Sequence, residues 1–223
     1  MSRLGIGDET LVVAYDNMGL PLASARLWWA LSYYGHDRVL VLDGGLRDWT
    51  REGRALETGM VTPAPSRFTP RPRSGLLATR ADVRAALGGG TTTIVDCLTP
   101  DVYRGGGERH LWGQRPGHIP GAVNVPSLAN IDPALANATA EERQQLVGSG
   151  RSFRFAAPEV LAALYRSAGV APDLPVITYC GRGYAASCGL LALKVLGYDA
   201  RLYDGSWAEW SADPSLPAEV SGT

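Results

Sequence analysis

The chain has 223 residues, 45% of them hydrophobic, and its 21 Lys and Arg against 22 Asp and Glu leave a net charge of -1. That is enough apolar material for one large domain or two small ones, and the near-neutral balance excludes a charge-driven nucleic-acid partner. Three cysteines, Cys97, Cys180 and Cys188, are too few and too irregularly spaced for a disulfide framework or a structural zinc site, so no metal is expected and a reducing compartment is.

The first ten residues contain no apolar leader, and no later segment is long and apolar enough to span a bilayer; a soluble, cytoplasmic protein without a membrane partner is expected. The first structured segment is the apolar run Val12-Val13-Ala14, followed by Tyr15-Asp16 and a helical pattern that closes at Gly35-His36-Asp37. A second strand follows and ends in Leu42-Asp43-Gly44-Gly45 ahead of Trp49. Residues 58–73 then hold Pro63, Pro65, Pro70 and Pro72 with no apolar period, which predicts an extended linker.

Beyond the linker, Ala78 to Leu87 reads as a helix capped by Thr79, and Thr92 to Cys97 as a buried strand. A Gly-rich stretch, Gly105 to Gly117, leads to the turn Gly117-His118-Ile119-Pro120-Gly121-Ala122 and another short strand. Pro158 to Ala168 is a helix with Pro in its first turn and Gly169 at its end. Next comes Val176-Ile177-Thr178-Tyr179-Cys180-Gly181-Arg182-Gly183-Tyr184-Ala185, a β-branched run that stops at a thiol. Its glycines permit a tight loop, and a helix starting near Tyr184 turns amide N–H groups and a positive dipole end toward the sulfur. An isolated cysteine at a strand end is ordinarily an inert core residue; the glycines, Arg182 and the helix start argue for a reactive one.

The Cys180 segment repeats the first one. Val12 to Asp16 matches Val176 to Cys180, each unit closes its helix at Gly35 or Gly197, and each second strand ends in Asp-Gly followed by Trp49 or Trp210. The first copy carries Asp16 where the thiol stands, in a loop two residues longer, and is excluded from cysteine chemistry. Only eleven residues precede its strand, whereas the second copy has a full upstream half, so the first is expected to be a partial domain, completed by further upstream sequence or by a partner chain. The division is 1–57 for the partial inactive copy, 58–75 for the linker and 76–220 for the catalytic copy. Strands alternating with helices imply an α/β fold with a mostly parallel sheet.

The Cys180 loop, the Gly117 to Ala122 turn and the paired Asp-Gly endings, in this order, resemble the two-domain rhodanese family of sulfurtransferases from about Leu11 onward. The resemblance implies tandem rhodanese-like domains with the first incomplete, and no cofactor. It implies that the Cys180 thiolate takes sulfur from a small anionic donor and passes it, as a persulfide, to a thiol or cyanide. Gly181, Arg182, Gly183, Tyr184 and Ala185 would bind the donor, and Arg104 matches a family arginine at the donor's anionic end. Mercaptopyruvate-type relatives usually place Gly-Ser-Gly after the cysteine; Arg182 in the Ser place points to thiosulfate, with 3-mercaptopyruvate as the alternative. Leu98 stands where the family usually has a loop-bracing arginine, which puts full activity in doubt.

Of the neighbouring residues, Cys97 and Cys188 read as packed thiols and His118 as a turn-holding residue. His110 reads as solvent-exposed, and Glu108, Arg109 and Arg115 line the donor entrance or solvate a loop. Trp207 walls the pocket or packs between domains like Trp28, Trp29 and Trp49. Two other function classes remain open: phosphatase-like chemistry, disfavoured by the short loop, and a non-catalytic sulfur-relay partner.

Overall fold

A computed structural model describes residues 1–17, 19–106 and 115–220. Two parallel sheets organise the chain. The first holds only β1 (Val12–Ala14) and β2 (Val39–Val41), paired Val12 to Val39 and Ala14 to Val41, with α1 (Leu22–Tyr33) as the crossover and α2 (Gly45–Arg51) after it. Residues 52–73 contain no helix or strand.

The second sheet is built from β3 (Leu77–Ala78), β4 (Thr93–Asp96), β5 (Val123–Asn124), β6 (Val176–Tyr179) and β7 (Ala200–Tyr203), in the order β3-β7-β6-β4-β5, with every pairing parallel. Around it lie α3 (Arg80–Ala86), α4 (Pro100–Arg104), α5 (Pro133–Asn137), α6 (Ala140–Gly148), α7 (Pro158–Ser167), α8 (Tyr184–Val195) and α9 (Ser206–Ala212). The expected helix at Ala78 to Leu87 is shorter: Leu77 and Ala78 form an edge strand against β7, and Thr79 with Asp82 makes a capping box that starts α3 at Arg80. The helical pair α5 and α6 shows no apolar period in the sequence: α6 carries no buried residue, and α5, five residues long with Leu135 and Ala136 buried, is too short to display one.

Parallel strands covered on both faces must be apolar on both, and all four residues of β6 are buried. Val95, Val176 and Leu202 face one way, into a core shared with Leu161, Leu190 and Leu193. Ile94, Ile177, Tyr179 and Tyr203 face the other, against Val83, Trp207 and Trp210. The first core also contains Trp29 from α1, with Trp28 against its margin, so the first copy is packed into the second copy's core. Trp29 Nε1 fixes this by donating to the Leu76 carbonyl at 3.0 Å. Trp49 does not join this interface; its indole donates to Ala55 and lies under Arg54, within its own segment.

Candidate active site

β6 delivers Cys180 to the C-terminal edge of the sheet, and α8 begins four residues later, at Tyr184. Gly183 takes φ 85°, a left-handed conformation that suits glycine, and turns its N–H onto Cys180 Sγ at 3.1 Å. The amides of Ala186 and Arg182 lie near enough to favour the thiolate as well, alongside the Gly183 hydrogen bond. Ser187 accompanies them by donating through Oγ to the Gly183 carbonyl at 2.7 Å.

The loop is held from behind by the start of α9. Cys180 N donates to Ser206 Oγ at 3.3 Å, while Trp207 N donates to the Cys180 carbonyl at 2.9 Å and Ala208 N to the Gly181 carbonyl at 3.1 Å. Ser206 is fully buried and adopts φ 52°, unusual for a residue with a Cβ. Trp207 is buried among the sheet and helix residues of the second copy, with Nε1 donating to the Arg115 carbonyl; it is not packed between the copies.

Burial is the largest influence on the Cys180 thiol and pushes its pKa up. The amides of Ala186, Arg182 and Gly183 pull the other way, and the buried Asp96 carboxylate at the end of β4 adds to the rise. The nest therefore offsets desolvation in part, and the resting thiol is not a strongly acidified one. Cys97, fully buried and with Asp96 and Cys180 nearby, is pushed well up, and Cys188 rises to about 12, both chiefly through burial. Both are packed thiols.

Arg182 and Tyr184 are exposed at the loop's outer face, with Ala185 half-buried beside them. Arg104 is exposed at the end of α4, where it lines an open depression with Asp101 and residues 136–140. Among the described residues no hydrogen bond or ion pair joins Arg104 to the Cys180 loop. Leu98 packs against the cluster that contains Cys180, an apolar contact in place of a braced cation. His118 stacks on Tyr103 at 3.8 Å and its Nδ1 lies 2.9 Å from the Tyr103 carbonyl, so it holds the turn. Arg115 is spent on the C-terminal segment, donating to the carbonyls of Ser211, Asp213 and Leu216. Glu108, Arg109 and His110 lie outside the described residues.

Comparison with known proteins decides the family. Residues 79–213 match the rhodanese-like domain, and the chain is 35% identical over 216 residues to the putative thiosulfate sulfurtransferase SseB of Mycobacterium tuberculosis, covering 96% of this chain and 69% of that one. The chain belongs to the rhodanese family. Its rhodanese fold is an α/β one with a parallel central sheet, and the family places it among the sulfurtransferases. Human 3-mercaptopyruvate sulfurtransferase is 34% identical over 210 residues, spanning 93% of this rhodanese and 65% of the human chain. The crystal structure of SseA from Escherichia coli, a 3-mercaptopyruvate enzyme, superimposes with a TM-score of 0.76 at 29% identity, over 93% of this chain and 70% of that one. A complex of EanB with hercynine shares the fold at a TM-score of 0.82 and 23% identity.

Four residues of this rhodanese site escaped the sequence reading. Ala186 brings its amide near the sulfur, Ser206 holds the Cys180 amide, and Arg26 with Asp204 brackets Gly183. Asp204 and Ser206 belong to the Asp-Gly ending that had marked the repeat, but repetition gave no hint of contact with the cysteine. Among the described residues there is no cluster of His, Cys, Asp and Glu suited to a metal ion, and no helix long and apolar enough to cross a membrane.

Proposed function

We propose that Cys180 carries the transferred sulfur and that thiosulfate is the donor. The observation behind this is the amide nest on Cys180 Sγ, anchored by the 3.1 Å bond from Gly183. The thiolate attacks the outer sulfur of thiosulfate; a new S–S bond forms to Cys180 as the donor's S–S bond breaks, and sulfite leaves with the bonding pair. Charge is conserved, because a thiolate and a dianion become a persulfide anion and a dianion. Cyanide or a thiol then takes the outer sulfur and returns the thiolate, so ping-pong kinetics follow. Stationary amides aimed at the sulfur cost no reorganisation when that charge moves outward.

Arg182 supports thiosulfate over 3-mercaptopyruvate, since an exposed guanidinium can meet a sulfonate through two N–H groups. Gly181, Tyr184 and Ala185 complete the loop that receives the donor, and Arg104 is the candidate cation for its far end. The three free cysteines fit a reducing compartment, for which we propose the cytoplasm.

In this reading residues 1–57 are a partial inactive domain, 58–75 its linker and 76–220 the catalytic domain. Val13 and Leu40 stand exposed on the two-stranded sheet, with Leu11 and Tyr15 exposed just beside it, which supports completion of that unit by further polypeptide or a partner chain. Intact protein incubated with thiosulfate should gain the mass of one sulfur, located on Cys180. An unchanged mass refutes the reading. Uptake from 3-mercaptopyruvate alone reassigns the donor, and uptake without release to cyanide or a thiol makes the protein a sulfur-relay partner.

A further inference from the structure

The inactive copy makes one contact with the catalytic loop that nothing in the Cys180 segment foreshadows. Arg26 lies in the second turn of α1, and its guanidinium reaches Asp204 Oδ1, just beyond β7, at 2.6 Å. Both groups close on one residue: a Cβ added to Gly183 would lie 2.7 Å from Asp204 Oδ1 and 2.8 Å from Arg26 Nη1. Gly183 is the residue whose N–H reaches the sulfur. The guanidinium also lies 4.4 Å from the Trp29 ring centre and 5.8 Å from that of Tyr184, so aromatic rings from both copies flank it.

The contact is half of a reciprocal arrangement. α1 and α8 pack on each other, and Arg26 and Cys188 each stand four residues past the first residue of their helix. Arg26 faces Asp204 beside Cys180, while Cys188 feels the charges of Asp16 and Asp43, the counterparts of Cys180 and Asp204. Each helix thus presents the same position to the other copy's loop. Only the inactive copy presents a cation there.

We infer that Arg26 is a positioning residue for Cys180: through Asp204 it clamps Gly183 in the conformation that points its N–H at the sulfur. Glycine at φ 85° has wide conformational freedom, and the Arg26–Asp204 ion pair packed against it restricts it. The inactive copy thereby tunes the nucleophile of the active one. This rests on Cys180 as the sulfur carrier, but its test needs no turnover.

The full chain and its Arg26→Gln, Arg26→Lys and Asp204→Asn variants are alkylated with iodoacetamide across a pH series, and labelling of the Cys180 peptide is followed by mass. Arg26→Gln should move the inflection to higher pH and slow labelling about three- to tenfold below it. Arg26→Lys, which still reaches Asp204, should recover most of the rate. Asp204→Asn separates positioning from charge, because deleting a nearby anion would by itself lower the inflection, whereas loss of the clamp raises it. An unchanged or lowered inflection in Asp204→Asn overturns the proposal whatever Arg26→Gln shows, as does an unchanged or lowered one in Arg26→Gln; if Arg26→Gln does not fold, Asp204→Asn decides alone. Failure of the sulfur-carrier reading would show separately, as absence of sulfur uptake by the unaltered protein.

Discussion

The Asp16 and Cys180 loops solve the same structural problem with different groups. In each, a polar residue just past a parallel strand lies beneath a helix start, where unpaired amides need an acceptor. Asp16 supplies two carboxylate oxygens, which accept from Ala23 N at 3.1 Å and Ser24 N at 2.9 Å. Cys180 supplies one sulfur, on which Arg182, Gly183 and Ala186 converge. The carboxylate is a permanent cap that satisfies its amides and leaves them nothing to bind. The thiol satisfies them weakly, so the same amides remain available to an anion.

The backing of the two loops differs in the same sense. Leu46 N donates to the Asp16 carbonyl at 2.9 Å, as Trp207 N does to that of Cys180. Gly45 and Ser206 hold matching positions with φ 57° and 52°. A Cβ on Gly45 would lie 2.3 Å from the Asp16 carbonyl oxygen, so glycine is required there. Around Cys180 there is room for a serine, whose hydroxyl accepts from the cysteine's own amide. The second copy thus accepts an unfavourable φ, costing about 1 kcal/mol, and gains a hydroxyl that fixes the Cys180 backbone.

This contrast can be broken most severely by exchanging the key groups. Cys180→Asp should cap α8 as Asp16 caps α1, leaving a folded protein whose sulfur transfer drops by at least about a thousandfold, measured as thiocyanate release. The converse change, Asp16→Cys, should add no sulfur at residue 16 by mass, since that loop lacks the three-amide convergence. Next in size, Ser206→Ala keeps the strained φ and orphans the Cys180 amide. It should lower the melting free energy by about 1–3 kcal/mol and the rate of sulfur uptake about tenfold, read by denaturant titration and stopped-flow. Asp16→Ala should cost about 1 kcal/mol of stability through the lost cap while Cys180 still takes up sulfur.

The smallest effect concerns Cys188, whose proton is held to about 12 by burial while an unfolded thiol releases it near 9.0. Its raised pKa favours the fold fully below pH 9, and that contribution is lost as pH rises from 9 toward 12. Urea midpoints should fall more steeply over this window in the native chain than in Cys188→Ala.

Most strands and long helices were legible because their residues carry the burial pattern locally. β6 is an unbroken apolar run, α7 opens on Pro158, and Gly169 and Gly197 close helices with φ of 82°. Thr139 with Glu142 was a readable capping box, yet the helix it opens lies on the surface and had no apolar stripe to draw attention. Cys180 and its glycines stood out because strand, loop and helix start are contiguous. The partners that arrive from elsewhere did not: Ser206 and Asp204 lie some two dozen residues away, and Arg26 more than 150. No local period marks such contacts.

By itself the sequence determined the repeat, the parallel α/β plan and which copy holds the thiol, since all three are written in short contiguous patterns of apolar period, glycine and proline. Tertiary structure alone decided how reactive that thiol is in the resting state. Desolvation, the aim of the Gly183 amide and the reach of Arg26 across the interface depend on distances in space, and chain order does not encode those separately from the packed core.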